Sequence, residues 1–206
     1  MREQGGERRT SVPAFWFRLP VPVGNAVQVA GVGAGAGLIL AAGAIRGNVW
    51  AGALAMVGGF MLVYLSCHSI GHWLVGRTLG LRFRYIGVRG TDHPEAFPAG
   101  LRQLMSFLPM FTTVSTRESR AAAGGHAVAL YMAAGQASTT VCTLLAAGLA
   151  LRVGAPGAPA LLAVAVLVNA YAAVMAAFNS RVDYAKAAAS WHSAPPRSRS
   201  RRPRVS

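Results

Sequence analysis

The chain has 206 residues, 53% of them hydrophobic and 13% charged, and its mean hydropathy is +0.41. A soluble domain carries about 25% charged residues. The charge is lopsided, with 20 Lys+Arg against 6 Asp+Glu, and long apolar runs separate the basic residues; this excludes an ordinary soluble enzyme or DNA-binding domain and points to a membrane protein whose loops hold the charge.

In chain order, residues 1–20 form a short segment with Arg2, Arg8, Arg9 and Arg18. An uncharged run, 21–45, follows; it is long enough for a first transmembrane helix, which needs roughly 20 apolar residues, and too long for the ~7–15-residue apolar region of a signal peptide. Inside it, "GVGAGAG" at 31–37 has no preceding strand and no following acid, so it is not a nucleotide loop. Gly31/Gly35 and Gly33/Gly37 have the four-residue spacing that lets helices approach closely.

A second span, 49–76, is uncharged but contains His68 and His72. Next comes a long polar stretch, 77–125. Its "LRFRYIGVR", 81–89, alternates apolar and basic residues as a strand does. Its "LRQLMSFLPMF", 101–111, places Leu101, Leu104, Met105 and Leu108 at helical spacing. That segment is too short to span and suits an interfacial or re-entrant helix, or an ordinary loop helix. A third span is expected at 126–151, a fourth at 158–178, and a polar, Arg/Ser-rich, disordered tail at 179–206. Cys67 and Cys142 each lie in an apolar run and read as packing residues.

The arginines alternate between rich and poor segments: seven in 77–125, but only Arg46 and only Arg152 in the two short loops. By the positive-inside rule both termini and the middle loop are cytoplasmic. The expected fold is therefore an all-α integral membrane protein of the plasma membrane. It has four transmembrane helices and a cytoplasmic loop with a short β element and a re-entrant or interfacial helix. The bilayer is its first partner. The basic tail suits anionic lipid, and nucleic acid is the weaker alternative.

The chemistry lies in "SCHSIGH", 66–72. Residues four apart on a helix differ by about 40° in direction and stack one turn apart. His68 and His72 thus share a face and can clamp one Zn²⁺, whereas Cys67 points about 100° away from His68. Taking Arg77 as the cytoplasmic edge, His72 lies about 7 Å and His68 about 13 Å inside, where ionisable groups face a bundle interior or wet cavity. Candidates for a further ligand are Asp183, just past the fourth span on the same side, then Asp92, His93 and Glu95 in "TDHPEA", and His126.

"HSIGHWLVGRTLGLRF" resembles the H-E-x-G-H segment of the site-2 protease family of intramembrane zinc metalloproteases. "ALYMAAGQASTTVCTLLAAGLAL", 129–151, is similar to that family's span with alanine-glycine-proline and a later asparagine: Gly135 is kept, Gln136 stands at the proline, and Thr139 falls near the asparagine. "FNSRVDYAKA", 178–187, resembles its asparagine…aspartate-glycine segment through Asn179 and Asp183, with Tyr184 in place of glycine. The resemblance implies zinc held by His68, His72 and Asp183. It also implies loss of the general base, because Ser69 occupies the glutamate position. A serine hydroxyl cannot hold a proton near neutral pH, and general acid–base catalysis is worth about 10²–10⁴-fold.

Three functions follow from these residues. The first is a zinc-binding, proteolytically weak or inactive protein that binds transmembrane segments of other proteins. The second is an active intramembrane protease using another base, for which Glu95 is the candidate. The third is a metal-free structural or interaction protein with the histidines paired to Asn169 or Thr139. Four spans without visible repeats make a transporter a poor fit.

Overall fold

The computed structural model describes residues 14–45, 47–91, 99–178 and 183–192. The elements in order are β1 (Phe17–Leu19), α1 (Val21–Ala44), α2 (Val49–Thr78), β2 (Phe83–Arg89), α3 (Ala99–Phe107), β3 (Met110–Ser115), α4 (Arg117–Arg152), α5 (Ala158–Phe178) and α6 (Asp183–His192).

Helices α1, α2, α4 and α5 are each long and apolar enough to cross a membrane. At 1.5 Å per residue, even the 21 residues of α5 reach about 32 Å, beyond the ~30 Å hydrocarbon core. Their outward faces expose Leu54, Leu62, Val141, Leu145, Leu167 and Val174, an apolar surface larger than a water-exposed domain usually shows. The centre of the bundle is built from Ile39, Met56, Val63, Ala147, Ala150 and Ala165. Small residues set the spacing. A Cβ on Gly35 would lie 2.6 Å from the Gly59 carbonyl oxygen, so α1 and α2 touch backbone to backbone. Gly31 packs on Ser66 in the same seam, but Gly33 and Gly37 face open space, so just one of the two glycine pairs read from the sequence is used between described helices.

The end of α2 sets the position of the sheet. Gly80 takes φ +83°, and the Leu81 and Gly80 amides donate to the Gly76 and Arg77 carbonyls at 2.8 and 3.2 Å. This glycine-terminated cap stops the helix and turns the chain back. β2 then runs antiparallel to both β1 and β3 in the order β1-β2-β3. The strand expected in 81–89 is thus present, and its two partners come from segments read as an N-terminal segment and as loop. The helix expected over 101–111 is shorter: α3 stops at Phe107, Pro109 follows, and Met110 and Phe111 belong to β3.

The third apolar helix starts earlier than its apolar run. The Thr116 side chain accepts from the Ser119 amide at 3.2 Å and begins α4 at Arg117, and Gly124, at φ +79°, breaks the regular geometry near that end. The fourth helix is tied to it by polar groups: Thr140 donates to the Asn169 Oδ1 at 2.8 Å, and Asn169 Nδ2 donates to the Thr143 Oγ1 at 3.0 Å.

Candidate metal centre

The last turns of α2 present His68 and His72 on one face, toward α4. The tail expected to be disordered from residue 179 instead contains helix α6, whose packing against α4 supports it, and its first residue, Asp183, reaches both imidazoles. Asp183 Oδ2 lies 3.1 Å from His68 Nε2 and 3.2 Å from His72 Nε2. One ligand atom from each of the three residues falls within 4.8 Å of the other two. The two rings meet edge to face, centroids 4.9 Å apart.

The second nitrogen of each ring identifies what faces Asp183. His72 Nδ1 is 2.7 Å from the Tyr131 carbonyl oxygen, which can only accept, so Nδ1 carries the proton. The Nε2 of a neutral ring then presents a lone pair. Thr139 Oγ1 donates to the Gly135 carbonyl at 3.1 Å, which leaves that oxygen to accept from His68 Nδ1 at 3.0 Å. This network assigns the same tautomer to His68. Two lone pairs and a carboxylate oxygen therefore converge, and such a group is stable only around a cation, either a metal ion or an extra proton. The spacing suits a metal: bonds of 2.0–2.2 Å in a tetrahedron separate ligand atoms by about 3.3 Å. Pinning the far nitrogen of each ring is also how metal-binding histidines are oriented.

Burial works against charge on Asp183, and only a proton or metal ion shared with the facing His68 and His72 holds the carboxyl below the usual carboxylate range. Lys186, one turn along α6, places Nζ 3.6 Å from the other carboxylate oxygen. Close helix contact makes the site possible. A Cβ on Gly135 would strike the His72 ring, and one on Gly71 would lie 2.6 Å from the Ala134 carbonyl oxygen. Ser138 fastens the same seam by donating to the Cys67 carbonyl at 2.8 Å.

The group opens into a cavity of about 580 Å³ that also reaches Arg89, Gln136 and Asn169. All six residues of β3 line it, and among the described residues no strand pairs with the outer edge of β3. Asp183 is its one carboxylate among the described residues. Ser69 is fully buried, its Oγ has no hydrogen-bond partner, and it is not among the described lining residues. Its hydroxyl therefore does not stand in for a base.

The remaining candidates separate clearly. His126 meets Trp191 edge to face at 4.5 Å and does not join the cluster. Asn169 bonds to α4 threonines, whereas Thr139 does contact His68. Glu95, with Asp92 and His93, lies outside the described residues. Lys186 beside Asp183 was a pairing the sequence offered, but the role of Tyr131 was not anticipated; a carbonyl contact across a helix interface leaves no residue-type signature. No protein-family model, curated protein or solved structure matches this chain.

Proposed function

We propose that this chain is a multi-pass membrane protein that holds Zn²⁺ through His68, His72 and Asp183, and that it is a proteolytically weak or inactive relative of the site-2 proteases, binding extended segments of other membrane proteins. The observation that carries this reading is the convergence of both Nε2 lone pairs on Asp183 Oδ2 at 3.1 and 3.2 Å. Two imidazoles and a carboxylate at this spacing leave a tetrahedral zinc one open position.

A zinc ion bound there would polarise a carbonyl and lower the pKa of water. The chain's own residues supply orientation: Tyr131 and Thr139 fix the rings, and Lys186 turns Asp183 so that one oxygen faces them. They do not supply a proton acceptor at position 69. The outer edge of β3, which no strand among the described residues pairs with, offers backbone donors and acceptors along the cavity, which favours an extended peptide adding as a further strand. The exposed Leu104 and Phe107 on α3 suit the membrane interface. Cytoplasmic termini, a plasma-membrane location and a tail on anionic lipid complete the reading.

Metal analysis of the purified protein beside His68→Ala and Asp183→Ala tests it. Zinc near one per chain in wild type and lost from both variants supports the site. Zinc retained in Asp183→Ala sinks the three-residue assignment, and zinc near zero in wild type favours a metal-free interaction protein. The alternative is an active protease that uses Glu95, which lies outside the described residues, as its base. Cleavage of a transmembrane substrate that is lost in Glu95→Gln would support that alternative.

A further inference from the structure

Tyr131 touches the metal cluster and the open strand at once. It is 5% exposed. Its carbonyl oxygen accepts from His72 Nδ1 at 2.7 Å, and its ring lies 5.0 Å from the His72 ring, tilted 49°. At its far end the hydroxyl is 3.2 Å from Thr113 Oγ1, and it also donates to the Thr113 carbonyl oxygen at 3.5 Å. Thr113 is itself buried and sits within β3, paired in register with Ile86. The backbone and ring of one residue thus seat a candidate ligand, and its hydroxyl holds the strand that borders the cavity.

The space around Tyr131 is reserved for it. A Cβ on Gly76 would come 2.9 Å from Tyr131 Cδ2 and would also meet the Phe83 ring, whose centroid lies 6.0 Å from that of Tyr131. The hydroxyl adds attachment to β3.

We infer that Tyr131 is a positioning residue that ties the orientation of His72 to strand β3, so that anything pairing with the β3 edge bears on metal affinity through the Thr113–Tyr131–His72 path. This rests on the metal-binding reading above. The geometry, not sequence spacing, carries it, because the three residues come from β3, α4 and α2.

Zinc affinity of the full chain in detergent, measured by competition with a chelator, tests it on Tyr131→Phe, Thr113→Val, the double variant and Thr113→Ser. Cobalt absorption spectra of the same proteins report the geometry of the bound ion. Outer partners of metal ligands are worth about 10–100-fold in affinity. The expected result is roughly a tenfold loss in each of Tyr131→Phe and Thr113→Val, at the low end of that range. The double variant should lose no more than Tyr131→Phe alone, since the contact that Thr113→Val cuts is one of the two that Tyr131→Phe removes. Cobalt bands should shift in all three, and Thr113→Ser should keep wild-type affinity. Unchanged affinity in both single variants, or losses that add in the double, overturns the inference while leaving the metal site standing. A wild-type protein that binds neither ion overturns the metal reading itself, and the inference with it.

Discussion

Asp183 and His72, 111 residues apart in the chain, meet at 3.2 Å between Oδ2 and Nε2. The contact closes only because α6 folds back along α4 while His72 is held from behind by the Tyr131 carbonyl. It joins two groups that both accept, so the pair is expected to respond to cations more than to anything else.

Asp183→Asn keeps the shape and removes the charge. Zinc at 100 times its dissociation constant should stabilise wild-type protein by about 2.7 kcal/mol. Thermal unfolding in detergent should show that gain in wild type and not in Asp183→Asn. An equal upward shift in both would place the ion elsewhere.

Thr139→Val removes the acceptor for the His68 Nδ1 proton. A buried donor left without a partner costs about 1–3 kcal/mol. Zinc affinity should fall at least tenfold, roughly the lower bound for loss of such a partner, and Thr139→Ser should restore it. Chelator competition measures both.

Gly135→Ala places a methyl where the His72 ring lies. Overpacking of this kind costs about 1–3 kcal/mol, and the ring must also leave its position. Zinc stoichiometry should drop sharply although no ligand has been changed. Full zinc occupancy in this variant would show that the close α2–α4 contact does not support the site.

Ser69→Ala deletes a fully buried hydroxyl that has no hydrogen-bond partner. Removing such a group is expected to leave zinc affinity unchanged and to raise stability by about 1 kcal/mol. A loss of zinc on this substitution would show that Ser69 takes part in the site.

Much of the helical frame was legible in the sequence because it is written locally. A run of apolar residues satisfies its own backbone groups as a helix, and lipid accepts its side chains on any outward face. The four apolar runs therefore correspond to α1, α2, α4 and α5. The shared face of His68 and His72 follows from helix pitch alone. So does the strand at Phe83–Arg89, from its alternation.

Strand β3 was not legible, although "MFTTVS" contains β-branched residues. A strand is stabilised by its partner, and the preceding apolar periodicity ran on past Pro109 into Phe111. The choice of Gly31/Gly35 over Gly33/Gly37 depends on how α1 is rotated against α2, which spacing does not encode. Asp183 was favoured over Asp92, His93, Glu95 and His126 because it follows directly on a span end, but all lay on the same expected side of the membrane and sequence could not bring any of them within reach of the histidines. By itself the sequence determined an apolar four-helix frame and a pair of histidines on one face with serine between them. The tertiary structure decided that Asp183 reaches that pair, that Thr139 and Tyr131 orient it and that β3 borders it. Those contacts join residues far apart in the chain, and their energies depend on distances that exist only after the helices have packed.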